Sequence, residues 1–300
     1  PNALDPDLAP GGSSSGAAVS VALGLAAAAI GTDTGGSVRV PAAWNDLVGF
    51  IPTRDSVPEK GVVPLCRRFD VPGPIARTVE DCAELFALMA CQKTADLRGA
   101  NLAGRRLMVL EGLPFADAEE GPVTAFEDAV DRLARAGAQI VRQSSDWIAK
   151  AMPLSAALFA PEAYGLWRDQ IEDAPELMYP AILERFRGGR DVTAADYVAA
   201  WDRLERLRAD WARVAAGFDA AILPTAPILP PDTERLLTDG AYFATENLLT
   251  LRNTRIANLL GLPAVTLPTG QPACGIMLMG APRADRALLV AAAAAEAALR

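Results

Sequence analysis

Two glycine-rich, serine-bearing stretches near the start of the chain, Gly11-Gly-Ser-Ser-Ser-Gly16 and Gly31-Thr-Asp-Thr-Gly-Gly-Ser37, constrain the fold more than any other feature. Glycine pairs let a backbone turn where other residues would clash, and they allow successive N–H groups to converge on one point. Between the loops runs an apolar, small-residue segment, and Ser13 and Ser37 stand 24 positions apart. A run of this kind, over 16–29, is too long for one strand and predicts a tightly packed helix ended by Gly31. The second loop then reads as an irregular turn, followed by a short helix over 38–47 and a strand over 48–52.

The rest of the chain alternates. Thr78 and Asp81 form a capping pair before a predicted helix at 79–91. Residues 106–110 (RLMVL) read as a buried strand, 122–136 as a helix and 138–142 as a strand, the order expected of an α/β fold. From 147 to 216 the pattern is almost wholly helical. Thr193 and Asp196 form a second capping pair, and Tyr197, Trp201, Leu204, Leu207, Trp211 and Val214 follow at helical spacing, a stripe that reads as core packing. Strands are expected at 220–225, 264–269 and 275–280, and helices at about 245–260 and 284–299. The expectation is one continuous α/β domain over 1–300: a mixed sheet flanked by helices on both faces, with a helical insert at about 147–216.

Composition narrows the chemistry. There is no histidine, which excludes a Ser–His–Asp relay and any His-ligated metal. The net charge of −9 argues against a direct nucleic-acid or anionic-membrane surface. Cys66, Cys82, Cys91 and Cys274 are scattered without a CxxC pair, and no segment reads as a signal peptide or membrane span, so a reduced cytoplasmic protein is expected. No cofactor and no metal are expected; a homo-oligomer is compatible with the sequence.

The two loops at this spacing, followed by Arg39-Val-Pro-Ala-Ala43 and Gly49-Phe-Ile-Pro-Thr53, closely resemble the amidase signature family. The likeness continues through 69–90 and 251–270. The loops depart from the family pattern at Ser15, where Gly is usual, and neither serine of interest is affected. The resemblance implies an amidase acting on a small or medium carboxamide through a Ser–cis-Ser–Lys triad. Ser37 is then the acyl nucleophile and Ser13, after a cis peptide bond, the bridging serine. The N–H groups of Thr34, Gly35, Gly36 and Ser37 line the oxyanion hole, and Ser14 and Arg39 hold the loops in register. Asp33 is expected to form a structural ion pair with Arg39.

The same resemblance places the Lys base upstream of the first loop, whereas this sequence begins at Pro1. Lys60, Lys93 and Lys150 all follow that loop, among polar neighbours, and read as surface lysines. The expectation is a chain lacking its N-terminal segment and, alone, nearly inactive. Two alternatives stand beside the stand-alone amidase. One is the glutamine-hydrolysing component of a tRNA-dependent amidotransferase, whose usual Ser-rich, Gln-bearing run is absent from Cys66–Pro74. The other is a non-catalytic relative that lacks the base.

Overall fold

In the computed structural model, which describes residues 1–145 and 147–300, the apolar runs pair into an eight-stranded mixed sheet. The strands are β1 (Ala28–Asp33), β2 (Val48–Ile51), β3 (Val71–Ala76), β4 (Arg106–Glu111), β5 (Gln139–Ser144), β6 (Ala220–Pro224), β7 (Ala264–Pro268) and β8 (Gly275–Met279), in the spatial order β1-β3-β2-β7-β8-β6-β4-β5. Pairing is antiparallel from β1 as far as β6, and parallel where β6 meets β4 and β4 meets β5.

The helices are α1 (Ser15–Ala22), α2 (Arg39–Trp44), α3 (Val79–Met89), α4 (Glu120–Arg135), α5 (Leu154–Asp173), α6 (Pro180–Arg187), α7 (Ala194–Val214), α8 (Thr233–Thr238), α9 (Gly240–Thr250), α10 (Arg252–Leu260) and α11 (Asp285–Leu299). No described helix is long and apolar enough to cross a membrane.

Alternate residues of each central strand serve opposite cores. Leu107, Val109, Ile222, Ile276 and Leu278 pack under α3, α4 and α11, while Met108, Leu110, Leu223, Met277 and Met279 pack under α1, α2 and α10. A strand buried on both faces needs no polar alternation, which is why RLMVL and GIMLM are continuous apolar runs. A third core joins the helical region to the site. Leu204 and Leu207 of α7 and Leu158 of α5 close over Phe69, whose ring lies 5.2 Å from that of Trp201. The stripe on α7 is therefore packing. Thr193 caps this helix by accepting from the Asp196 N–H at 3.1 Å, and Thr78 caps α3 in the same way at 3.0 Å.

Two expected helices differ from the structure. The run 16–29 is not a single helix: α1 stops at Ala22, Gly24 turns the chain at φ +72°, and 28–33 enter the sheet as β1, with Gly31 inside the strand opposite Gly73. Alanine propensity favours helix only weakly, and six backbone pairings with β3 override it. The helix expected at 245–260 is likewise divided, at Leu251, into α9 and α10.

Candidate active site

The two serine loops meet at the end of β1. The Ser14 N–H donates to the Ser37 carbonyl at 3.1 Å, and the Ser14 hydroxyl approaches the Thr32 carbonyl at 3.4 Å. This seating requires Gly31, since a Cβ there would lie 2.5 Å from Ser14 Oγ. The Gly12–Ser13 peptide is cis, as the resemblance implied. Ser13 and Ser37 line one cavity of about 120 Å³, together with Thr34, Glu59, Arg67 and Asp70.

Asp33 organises the second loop. Its Oδ1 accepts from the Gly36 N–H at 2.8 Å, Arg39 Nη2 at 2.8 Å and Asn258 Nδ2 at 2.9 Å, and its Oδ2 accepts from the Val38 N–H at 3.0 Å and Arg39 Nε at 3.1 Å. Asp33 and Arg39 are both fully buried. Burial by itself would raise the Asp33 carboxyl, but the Arg39 charge and the bonds from Arg39, Asn258 and Val38 outweigh it and hold the acid below its ordinary range. The remaining Arg39 donors reach the Thr254 carbonyl at 2.8 Å and Asn258 Oδ1 at 2.6 Å. The ion pair expected from the sequence is thus present and anchors the loop to α10.

Of the four N–H groups expected to face an oxyanion, that of Gly36 is engaged by Asp33. Those of Thr34, Gly35 and Ser37 have no acceptor among the described residues. Gly36 has φ +143°, and a Cβ on it would fall 2.2 Å from Thr254 Oγ1. That hydroxyl donates to the Gly35 carbonyl at 2.7 Å, which fixes the peptide between the loop and α10.

Sequence reasoning assigned no role to Asp70, Glu59, Thr254 or Asn258. Asp70 accepts from the Thr34 hydroxyl at 2.5 Å and from the Leu65 and Cys66 N–H groups at 2.8 and 2.9 Å, tying the 64–70 segment to the serine loop. Glu59 Oε1 is buried without a hydrogen-bond partner among the described residues. Burial first, and then the charges of Asp70 and Asp55, push its carboxyl up, against the opposing Arg54 and Arg67. A signal for α10 was available, because Asn253, Thr254 and Asn258 break an otherwise apolar, buried helix face. Nothing local marks Glu59. The three lysines are all exposed, and none lines the cavity.

A model of the amidase family matches residues 1–289. The chain belongs to the amidase signature family. It is 36% identical over 290 residues to 2-amino-5-chloromuconic acid deaminase of Comamonas testosteroni, covering 93% of this chain and 62% of that protein. It is 32% identical over 326 residues to mandelamide hydrolase of Pseudomonas putida, covering 96% of this chain and 62% of the relative. The chain thus spans somewhat under two thirds of the length of these two relatives. Among solved structures, the crystal structure of an amidase superposes with a TM-score of 0.85 at 29% identity, over 99% of this chain and 68% of that one. Amidase signature membership and the mixed α/β fold agree with the reading of the two loops.

Proposed function

We propose that these residues form the catalytic core of an amidase that cleaves a small or medium carboxamide through a seryl acyl-enzyme. The observation that carries the reading is that Ser13 and Ser37 share one cavity, with their loops joined directly by the Ser14–Ser37 hydrogen bond. Amide hydrolysis needs an activated nucleophile, a site for the tetrahedral oxyanion and a proton for the leaving nitrogen. Ser37 Oγ attacks the carbonyl carbon as its proton passes to Ser13. The free N–H groups of Thr34, Gly35 and Ser37 receive the oxyanion. Ser13 then returns a proton to the departing amine, and water cleaves the ester by the reverse route.

The relay ends, in this reading, on a neutral Lys that is none of Lys60, Lys93 and Lys150, since all three are exposed and none lines the cavity. Stand-alone hydrolysis is favoured over an amidotransferase role because Cys66–Pro74 lacks the Ser-rich, Gln-bearing run. The native protein that carries these residues should react with a fluorophosphonate at Ser37 and lose turnover completely as Ser37→Ala. Ser13→Ala should keep the fold and lower turnover by roughly 10²–10⁴, the range of a general acid–base group. Covalent labelling that survives Ser37→Ala, or normal turnover by Ser13→Ala, would sink the assignment. Robust turnover by residues 1–300 alone would show that the base lies among them.

A further inference from the structure

Arg255, on α10, is a partly buried cation with no counter-ion among the described residues. Its Nε is shielded from solvent and has no acceptor, and no ion pair or hydrogen bond of its guanidinium occurs among the described residues. Burial, together with the like charge of Arg185, pushes its pKa down. Arg185, exposed on α6, also lacks a carboxylate among the described residues: its Nη1 donates to Asn247 Oδ1 at 2.7 Å, and its guanidinium lies 5.9 Å from the Phe243 ring. The fold does satisfy a buried arginine elsewhere. Arg39, packed against the same helix, has Asp33, Asn258 and the Thr254 carbonyl. A buried cation left unpaired is unfavourable unless an anion arrives to meet it.

Its place is informative. A Cβ built on Gly35 would meet nothing nearer than Arg255 Nε and the Phe159 ring, both at 3.9 Å. Thr254, the preceding residue, clamps the Gly35 carbonyl, so the guanidinium is held beside the loop that carries Ser37. The Gly35 N–H is unengaged among the described residues. A planar, forked donor set of this kind matches a carboxylate.

We propose that Arg255, backed by Arg185, receives a carboxylate on the substrate, so that the preferred substrates are half-amides of dicarboxylic acids rather than neutral amides. The proposal rests on the Ser37 reading for the position of the amide, but its test is a binding measurement that needs no turnover. Calorimetric titration of the protein with malonamate, succinamate and glutaramate, each beside its neutral diamide, reads the preference directly. At least one half-amide should bind ten or more times tighter than its diamide. The preference should shrink to about twofold in Arg255→Met, survive in part in Arg255→Lys, and weaken in Arg185→Gln, with melting curves establishing that each variant folds. Equal binding of acid and diamide by the unaltered protein, no binding of any half-amide at millimolar concentration, or a preference untouched by both Arg255→Met and Arg185→Gln would overturn it. A protein that binds half-amides through Arg255 yet is not labelled at Ser37 would instead refute the hydrolytic reading and leave the carboxylate site standing.

Discussion

At the residue scale, the serine loop is shaped by Asp33, Arg39, Thr254 and Asn258, which are buried around it. Gly36 is irreplaceable on two grounds, its positive φ and its 2.2 Å approach to Thr254 Oγ1. Gly36→Ala should cost on the order of 1–3 kcal/mol for the backbone alone and disarrange the free N–H groups. Combining it with Thr254→Ala should relieve only part of the steric cost, because the Cβ of residue 254 would still lie 2.9 Å away, and none of the backbone cost. Denaturant melts of the two variants, with fluorophosphonate labelling as a second readout, decide this. Asp33→Asn should cost more, roughly 3–5 kcal/mol, because it leaves Arg39 buried and unpaired. The Asp33 carboxyl is depressed in the folded state. Its contribution is therefore complete above the ordinary carboxylate pKa of about 4 and is lost as pH falls through the lower folded value. The native protein should lose melting temperature in acid more steeply than Asp33→Asn does; parallel pH profiles would contradict this account of the pair.

At the element scale, the stretch 52–70 has neither helix nor strand, yet it forms one wall of the cavity. It is held by side chains instead. Asp70 grips Thr34 and two backbone N–H groups of its own segment, Trp167 Nε1 donates to the Pro64 carbonyl at 2.7 Å, and Phe69 stacks on Trp201. Asp70→Ala should free this wall while leaving the sheet intact. Limited proteolysis should then cut within 57–68 well before global unfolding, and an unchanged cleavage pattern would show that the aromatic contacts suffice. The capped helices α3 and α7 were legible because Thr78 and Thr193 satisfy N–H groups within their own sequence neighbourhood. The 16–29 run was misread because what decides it, pairing with 71–76, lies some forty residues away.

At the scale of the molecule, the sheet ends differently on its two sides. The β5 edge carries Arg142, paired with Glu127 and Glu111, and charge of this kind discourages edge-to-edge association. The β1 edge is uncharged as far as Asp33, with Ile30 56% exposed, and Leu23 and Leu25, shortly before the strand, are exposed as well. Residues 1–300 on their own should therefore self-associate through β1 as concentration rises. Ile30→Lys should reduce that association without changing the melt, as followed by light scattering. A chain that stays monomeric with Ile30 intact would show that the edge is already guarded by its twist or its neighbours.

The sequence by itself determined the α/β order, the capped helices and the two glycine loops that carry Ser13 and Ser37 to one cavity, because each depends on local backbone chemistry or on motif spacing. It also foretold the Asp33–Arg39 pair, six positions apart and so within reach of one loop. Only the tertiary structure decided that Thr254 and Asn258, more than two hundred residues along, complete that pair's surroundings. It alone put Glu59 and Asp70 in the serine cavity and left Arg255 without an anion. Those facts arise where α10 and the 52–70 wall close on the loop, and no local pattern encodes which distant polar atoms a fold will satisfy and which it will leave open.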